Sequence, residues 1–176
     1  GDSSADLPIW EAAKGAVLVG ASTATTKIVG RTTPLEAQFP QASVGLKRWA
    51  IALRLHQWLK NLLIFVPLLT SFSFFDSEKI ATSLLAFIAF SFAASATYLI
   101  NALWDLDSDR AHPRKRLRPL ARTEISIVSA LTVAGVLITL ALLLAFAIST
   151  PFLSIIGFYL LITTSYSWFL KRYVIL

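Results

Sequence analysis

Long apolar runs, broken by short polar clusters, organise most of this chain. From residue 46 onward four such runs can be traced, each near the roughly 20 residues that an α-helix needs to cross a bilayer core. The first covers about residues 58–75, behind a more polar helical stretch at 46–57. The others cover about residues 80–104, 125–148 and 152–170. FDSEK separates the first run from the second, and STP the third from the fourth. Pro67 falls inside the first run and predicts a kink there, which membrane helices tolerate. The pattern predicts an all-α integral membrane region over residues 46–176, with four spanning helices.

Residues 1–45 follow another pattern. GDSSADLPIWEAAKGAVLVG combines a Gly/Asp/Ser turn, a short helix and a Val/Leu run that suits a small buried strand. The following stretch is rich in Thr, Ala and Pro without periodicity. Residues 1–22 therefore read as a short α/β piece, and residues 23–45 as a linker.

Composition sharpens the membrane reading. The 176 residues are 56% hydrophobic, and the mean hydropathy is +0.67; ordinary soluble domains are less apolar. The net charge of +6 is unevenly placed. Lys47, Arg48, Arg54 and Lys60 surround the start of the first run. Arg110, Arg114, Lys115, Arg116, Arg118 and Arg122 lie between the second and third, and Lys171 and Arg172 follow the fourth. The two opposite loops hold only Lys79, beside Asp76 and Glu78. Positive charge collects on cytoplasmic loops, so the 105–124 loop is expected to face the cytoplasm from a bacterial inner or plasma membrane. Nucleic acid is not an expected partner, because the basic stretch abuts a membrane run and lacks interleaved aromatics. The absence of cysteine excludes disulfides and thiolate metal sites. There is also no methionine, and Leu176 falls inside the apolar YVIL. The chain thus reads as an internal piece of a longer polypeptide, expected to be inactive by itself.

The candidate chemistry lies in NALWDLDSDRAHPRKRLRP, residues 101–119. On a continuing helix Asn101, Asp105 and Asp109, spaced by four, stack on one face. Carboxylates plus an amide oxygen, without a His or Cys cluster, suit a hard ion such as Mg²⁺, which commonly bridges to substrate phosphates. The following His112, Arg114, Lys115, Arg116 and Arg118 would meet phosphate charge directly. The plainer alternative is a solvated loop whose arginines set topology. Asn101 weighs against it, since a polar residue at the membrane boundary is costly without a partner.

The same residues resemble the first aspartate-rich motif of the UbiA superfamily of intramembrane prenyltransferases. That pattern is Asn-Asp-x-x-Asp-x-x-x-Asp followed by Arg, His-Pro, Lys and Arg-Pro. The resemblance implies metal and diphosphate binding by Asn101, Asp105 and Asp109, and matches Arg110, His112, Lys115 and Arg118 to the motif's basic tail; Lys60 and Arg114 are expected to join them in binding phosphate. One position departs: the Asp that directly follows the Asn in the family pattern is Ala102 here. RLHQWLKN (54–61) resembles a first-helix signature of the decaprenyl-phosphate phosphoribosyltransferase-like branch, and YSWFLKR (166–172) a fourth-helix signature. Arg54, Gln57, Asn61, Tyr166 and Lys171 would then line a cavity mouth, although an interfacial anchor explains both stretches equally. The resemblance implies four helices of a nine-helix bundle and a Mg²⁺-dependent transferase acting on a polyprenyl phosphate or diphosphate at the cytoplasmic face. The second substrate would be an aromatic acceptor or phosphoribosyl diphosphate. A non-catalytic membrane protein that binds lipid phosphate is the rival reading.

GDSSAD (1–6) resembles the last motif of haloacid-dehalogenase-like phosphatases, with Asp2 and Asp6 as the implied metal-holding acids. The following helix and strand fit the end of that α/β fold, so residues 1–22 are expected to be its remnant. The upstream Asp-x-Asp nucleophile that such a phosphatase needs does not occur in this chain.

Overall fold

The computed structural model describes residues 4–39 and 44–167. Asp2, Lys171 and Arg172 lie outside the described residues. The chain divides into two compact units, Gly1–Val44 and Gly45–Leu176.

In the first unit a 3₁₀ turn, Ser4–Asp6, leads into α1 (Leu7–Glu11). Strand β1 (Ala16–Val19) ends at Gly20, whose φ of 69° lies in the left-handed region. Helix α2 (Thr23–Thr32) follows, with Ser22 as its cap: the hydroxyl accepts the Thr25 N–H at 3.1 Å. Strand β2 (Leu35–Phe39) then pairs with β1 in parallel. Trp10, Ala16, Leu18 and Val29 form the small core, with Leu7 and Ala21 packed against it. Thr33 Oγ1 closes the unit by donating to the Trp10 carbonyl at 2.7 Å.

The linker expectation for residues 23–45 is thereby corrected, because residues 23–39 hold a helix and a strand. Only Thr25 and Val29, four apart, turn inward from α2, too few positions to write an apolar stripe. Capping and burial against Trp10 and Leu18 supply what periodicity does not.

The second unit begins with α3 (Leu46–Ala52). Arg54 then takes φ 53° and ψ 43°, a left-handed conformation that breaks the helix. An eleven-residue 3₁₀ helix, Leu55–Phe65, and the short α4 (Val66–Thr70) follow. The expected first span is therefore not one continuous α-helix. Pro67 sits in the first turn of α4, where a missing N–H costs nothing, so it starts a helix instead of kinking one.

Helix α5 (Ser77–Trp104) is capped by Asp76, whose Oδ1 accepts the N–H groups of Glu78 and Lys79 at 3.1 and 3.2 Å. The Lys79 backbone hydrogen bond, with the nearby Lys79 ammonium, holds the Asp76 carboxyl below its ordinary pKa. After α5 come the short α6 (Leu106–Ala111), α7 (Ile127–Ile148) and α8 (Thr150–Ser165). Serines at 126 and 149 cap the last two.

Among the described residues, α5 and α7 are the helices long and apolar enough to cross a membrane. Their 28 and 22 residues correspond to about 42 and 33 Å at 1.5 Å per residue. The 16 residues of α8 reach only about 24 Å, and residues 168–170 of the expected fourth span lie outside the description. The most extensive packing joins α5 to α7. Small side chains are buried on both helices: Ala86, Ala89, Ala93 and Ala96 on α5, and Ala130, Ala134, Ala141 and Ala145 on α7. Small residues let helix backbones approach closely in lipid.

Candidate functional site

The 3₁₀ segment is tied to α5 by polar side chains. Trp58 Nε1 donates to Ser95 Oγ at 3.0 Å, and Asn61 Nδ2 donates to Ser91 Oγ at 2.9 Å. The spacing follows from helix geometry. Three residues of 3₁₀ helix rise about 6 Å and four residues of α-helix rise the same. Trp58 and Asn61, three apart, therefore meet Ser95 and Ser91, four apart on an antiparallel neighbour. Ser95 also donates to the Leu53 carbonyl at 2.9 Å, satisfying an acceptor beside the break at Arg54. The Trp58 ring packs edge-on against Phe87 and Phe92, with centroids 6.2 and 6.1 Å away.

The left-handed turn at Arg54 carries its guanidinium over the Tyr98 ring, 4.8 Å from the centroid. Above this contact opens a cavity of about 420 Å³. Ile51, Ala52, Arg54 and His56 form one wall; Tyr98, Asn101, Ala102 and Asp105 of α5 form a second; Lys115, Arg118, Pro119 and Leu120 form a third. The acidic motif stays close to helical register across the end of α5, since Asp105 N–H donates to the Asn101 carbonyl and Asp109 N–H to the Asp105 carbonyl.

Not every expected residue reaches this cavity. Asp109 is fully buried and does not line it; its Oδ2 accepts from Arg118 Nη1 at 2.6 Å, and Lys115 Nζ lies 4.0 Å from its Oδ1. Arg110 pairs with Asp107 at 3.8 Å. His112 has a local role: Nδ1 accepts the N–H groups of Arg114 and Lys115 at 3.2 and 3.4 Å, fixing the turn that presents Lys115. That bond requires an unprotonated Nδ1. Gln57, Lys60 and Asn61 line a smaller adjoining cavity of about 70 Å³, which shares Arg54 and Tyr98 with the larger one. Buried Gln57 Oε1 has no hydrogen-bond donor there. Tyr166 is half exposed and lines neither cavity. In the first unit Asp6 belongs to the 3₁₀ turn, while Asp2 lies outside the description.

His56, Tyr98, Ser91 and Ser95 complete the arrangement without having been expected. The last three had a signal: with Ala102 and Asp105 they mark one face of α5 at spacings of three and four. Glu124 adds a brace, pairing with Arg48 at 2.9 Å and Arg122 at 3.5 Å, so that the end of the loop is held to α3.

Among the described residues no three His, Asp or Glu groups converge as a metal cage. Asn101 and Asp105 supply oxygen donors on one wall of the cavity. Such a pair suits an ion that takes few protein ligands and completes its shell with water and phosphate oxygens, as Mg²⁺ does. Ala102 stands on the same wall, so the missing carboxylate is absent from the cavity itself.

Residues 62–176 match the UbiA prenyltransferase family. The uncharacterized protein y4nM of Sinorhizobium fredii is 40% identical over 177 residues, covering all of this chain and 34% of y4nM. A decaprenyl-phosphate phosphoribosyltransferase of Mycolicibacterium smegmatis is 33% identical over 129 residues, covering 71% of this chain and 41% of that enzyme. The nodulation protein NoeC of Azorhizobium caulinodans is 39% identical over 99 residues, covering 56% of this chain and 32% of NoeC. The chain thus spans about a third to two fifths of the length of these curated relatives.

Proposed function

Because the chain belongs to the UbiA prenyltransferase family, we propose that its larger cavity holds the diphosphate of a donor substrate during transfer to a membrane-embedded polyprenyl phosphate. The donor favoured is phosphoribosyl diphosphate, on the strength of the phosphoribosyltransferase relatives. The observation that carries the reading is one cavity with Asn101 and Asp105 on one wall and Arg54, Lys115 and Arg118 on the other two. In the reaction the bond from the ribosyl anomeric carbon to the diphosphate oxygen breaks. A phosphate oxygen of the lipid forms the new bond, and the diphosphate leaves with the electron pair. Asn101 and Asp105 would hold Mg²⁺, which when bound would neutralise charge on the leaving group. Arg118 and Arg54 orient the diphosphate by hydrogen bonds and Lys115 adds a point charge, so developing negative charge meets fixed donors. The positive excess on the 105–124 loop supports a cytoplasmic opening.

Prenyl transfer from a polyprenyl diphosphate to an aromatic acceptor uses the same diphosphate-binding residues, and the family description keeps it as the second reading. The two separate in one assay on membranes carrying the whole gene product. Labelled phosphoribosyl diphosphate with polyprenyl phosphate should yield a labelled lipid that requires Mg²⁺; label transfer only from polyprenyl diphosphate would favour prenyl transfer. Ala102→Asp tests the rival of a non-catalytic lipid-phosphate binder. A gain of Mg²⁺-dependent turnover marks an enzyme with one ligand fewer, whereas no turnover before or after the change marks a binder. The parallel β1–α2–β2 unit supports reading the first unit as the end of a larger phosphatase-like α/β domain, since parallel strands are ordinarily covered on both faces.

A further inference from the structure

The cations on the loop wall of the cavity depend on one buried carboxylate. Asp109 follows Asp105 by one helical turn, yet it is wholly inaccessible and lines no part of the cavity. An unpaired carboxylate at that depth would be costly. Asp109 Oδ2 accepts from Arg118 Nη1 at 2.6 Å, and Oδ1 faces Lys115 Nζ at 4.0 Å without a hydrogen-bond donor. Both cations line the cavity, with 37% and 43% of their side chains exposed. Arg118 is thus gripped by one terminal nitrogen while its other N–H donors remain available to an anion. Lys115 lies just outside hydrogen-bond range of Asp109, near enough to be held by charge and free to contact a second anion.

We propose that Asp109 is a positioning residue that holds Arg118 and Lys115 on the cavity wall and ligates no metal. This rests on reading the cavity as a diphosphate site. A cation placed on Asp109 would have to displace Arg118 and would sit beside two positive side chains, which disfavours it there.

The test is calorimetric binding of inorganic diphosphate to the whole gene product in detergent micelles, across a Mg²⁺ series. The proteins compared are the unsubstituted form, Asp109→Asn, Arg118→Met and the double variant. Positioning predicts that Asp109→Asn weakens diphosphate binding by about tenfold while half-saturating Mg²⁺ stays unchanged. In the Arg118→Met background the same change should add less than about twofold, since contacts that act as a unit are not additive. A rise of about tenfold in the Mg²⁺ requirement on Asp109→Asn, or unaltered diphosphate affinity, overturns the proposal. If Asp109→Asn does not fold, Asp109→Leu/Arg118→Met removes the buried pair together and is compared with Arg118→Met. Equal diphosphate and Mg²⁺ affinities in those two support positioning, and a higher Mg²⁺ requirement in the former overturns it. An unsubstituted protein that takes up no diphosphate overturns the cavity reading itself, and this proposal with it.

Discussion

The segment from 46 to 70 and helix α5 are neighbouring stretches rich in apolar residues, and they fold differently. Helix α5 runs unbroken for 28 residues and carries Ser91, Ser95, Tyr98 and Asn101 along one side, with Asp105 at its C-terminal cap. The preceding segment is cut into α3, an eleven-residue 3₁₀ helix and α4. Runs of 3₁₀ helix beyond three or four residues are uncommon because their hydrogen bonds are poorer. Here the loss is offset by side chains: Trp58 and Asn61 find Ser95 and Ser91, and Ser95 reaches back to the Leu53 carbonyl. Apolarity and length set where a chain can enter a bilayer, while the polar pairs set which helix it forms there. The two stretches also divide the site, α5 contributing oxygen donors and the broken segment a cation.

The division is broken most sharply on the α5 side. Asp105→Asn keeps the size and an amide oxygen but removes the carboxylate proposed to hold the metal. Turnover of labelled phosphoribosyl diphosphate should fall by about 10²–10³-fold, the scale of losing one preorganised electrostatic group. Added Mg²⁺ should recover part of the loss if metal affinity is the cause. Full activity at ordinary Mg²⁺ would remove Asp105 from the metal site.

How much of this could be read from the sequence follows from the same contrast. Helices α5 and α7 were legible because long uninterrupted apolar runs have few alternatives in lipid, where the backbone must satisfy itself. Asn101, Asp105, Lys115 and Arg118 were legible as a cluster of polar and charged residues that the membrane setting makes expensive, and the structure gathers all four at one cavity. The break at Arg54 was not legible, since nothing in RLHQWLKN demands a left-handed arginine. It depends on Ser95 and Tyr98, more than forty positions away. The placement of Asp109 was hidden for a related reason. Spacing by four puts it beneath Asp105, but only the fold of the 112–118 turn brings Arg118 onto it. Residues 23–39 were misjudged because their order comes from Trp10 and Leu18 and not from a pattern of their own.

A smaller effect tests the polar seam itself. Ser95→Ala removes both the acceptor for Trp58 Nε1 and the donor to Leu53 O. Two polar groups then lie beside an apolar neighbour, at a cost of about 1–3 kcal/mol for each group that finds no water. Helix α5 itself should be indifferent, since alanine is the best helix former. Hydrogen exchange should therefore quicken across residues 53–65 and stay slow in α5. Equal acceleration in both would mean that the two stretches unfold as one, and that the seam is not what separates them.

The smallest effect isolates the break. Arg54→Ala and Arg54→Gly both remove the guanidinium and its contact with Tyr98, so both should weaken diphosphate binding equally. They differ in what φ 53° requires of them. Alanine pays the left-handed penalty of roughly 1–2 kcal/mol, which glycine does not. Glycine's freer unfolded chain takes back about 0.5–1 kcal/mol. The glycine variant should therefore be the more stable of the two by up to about 1.5 kcal/mol, read as a higher melting temperature in one detergent. The reverse order would fit a residue in an ordinary right-handed helix, where alanine is favoured over glycine by about 1 kcal/mol. In that case α3 would continue through Arg54, the Leu53 carbonyl would need no serine, and the contrast between the two stretches would lie in their side chains alone.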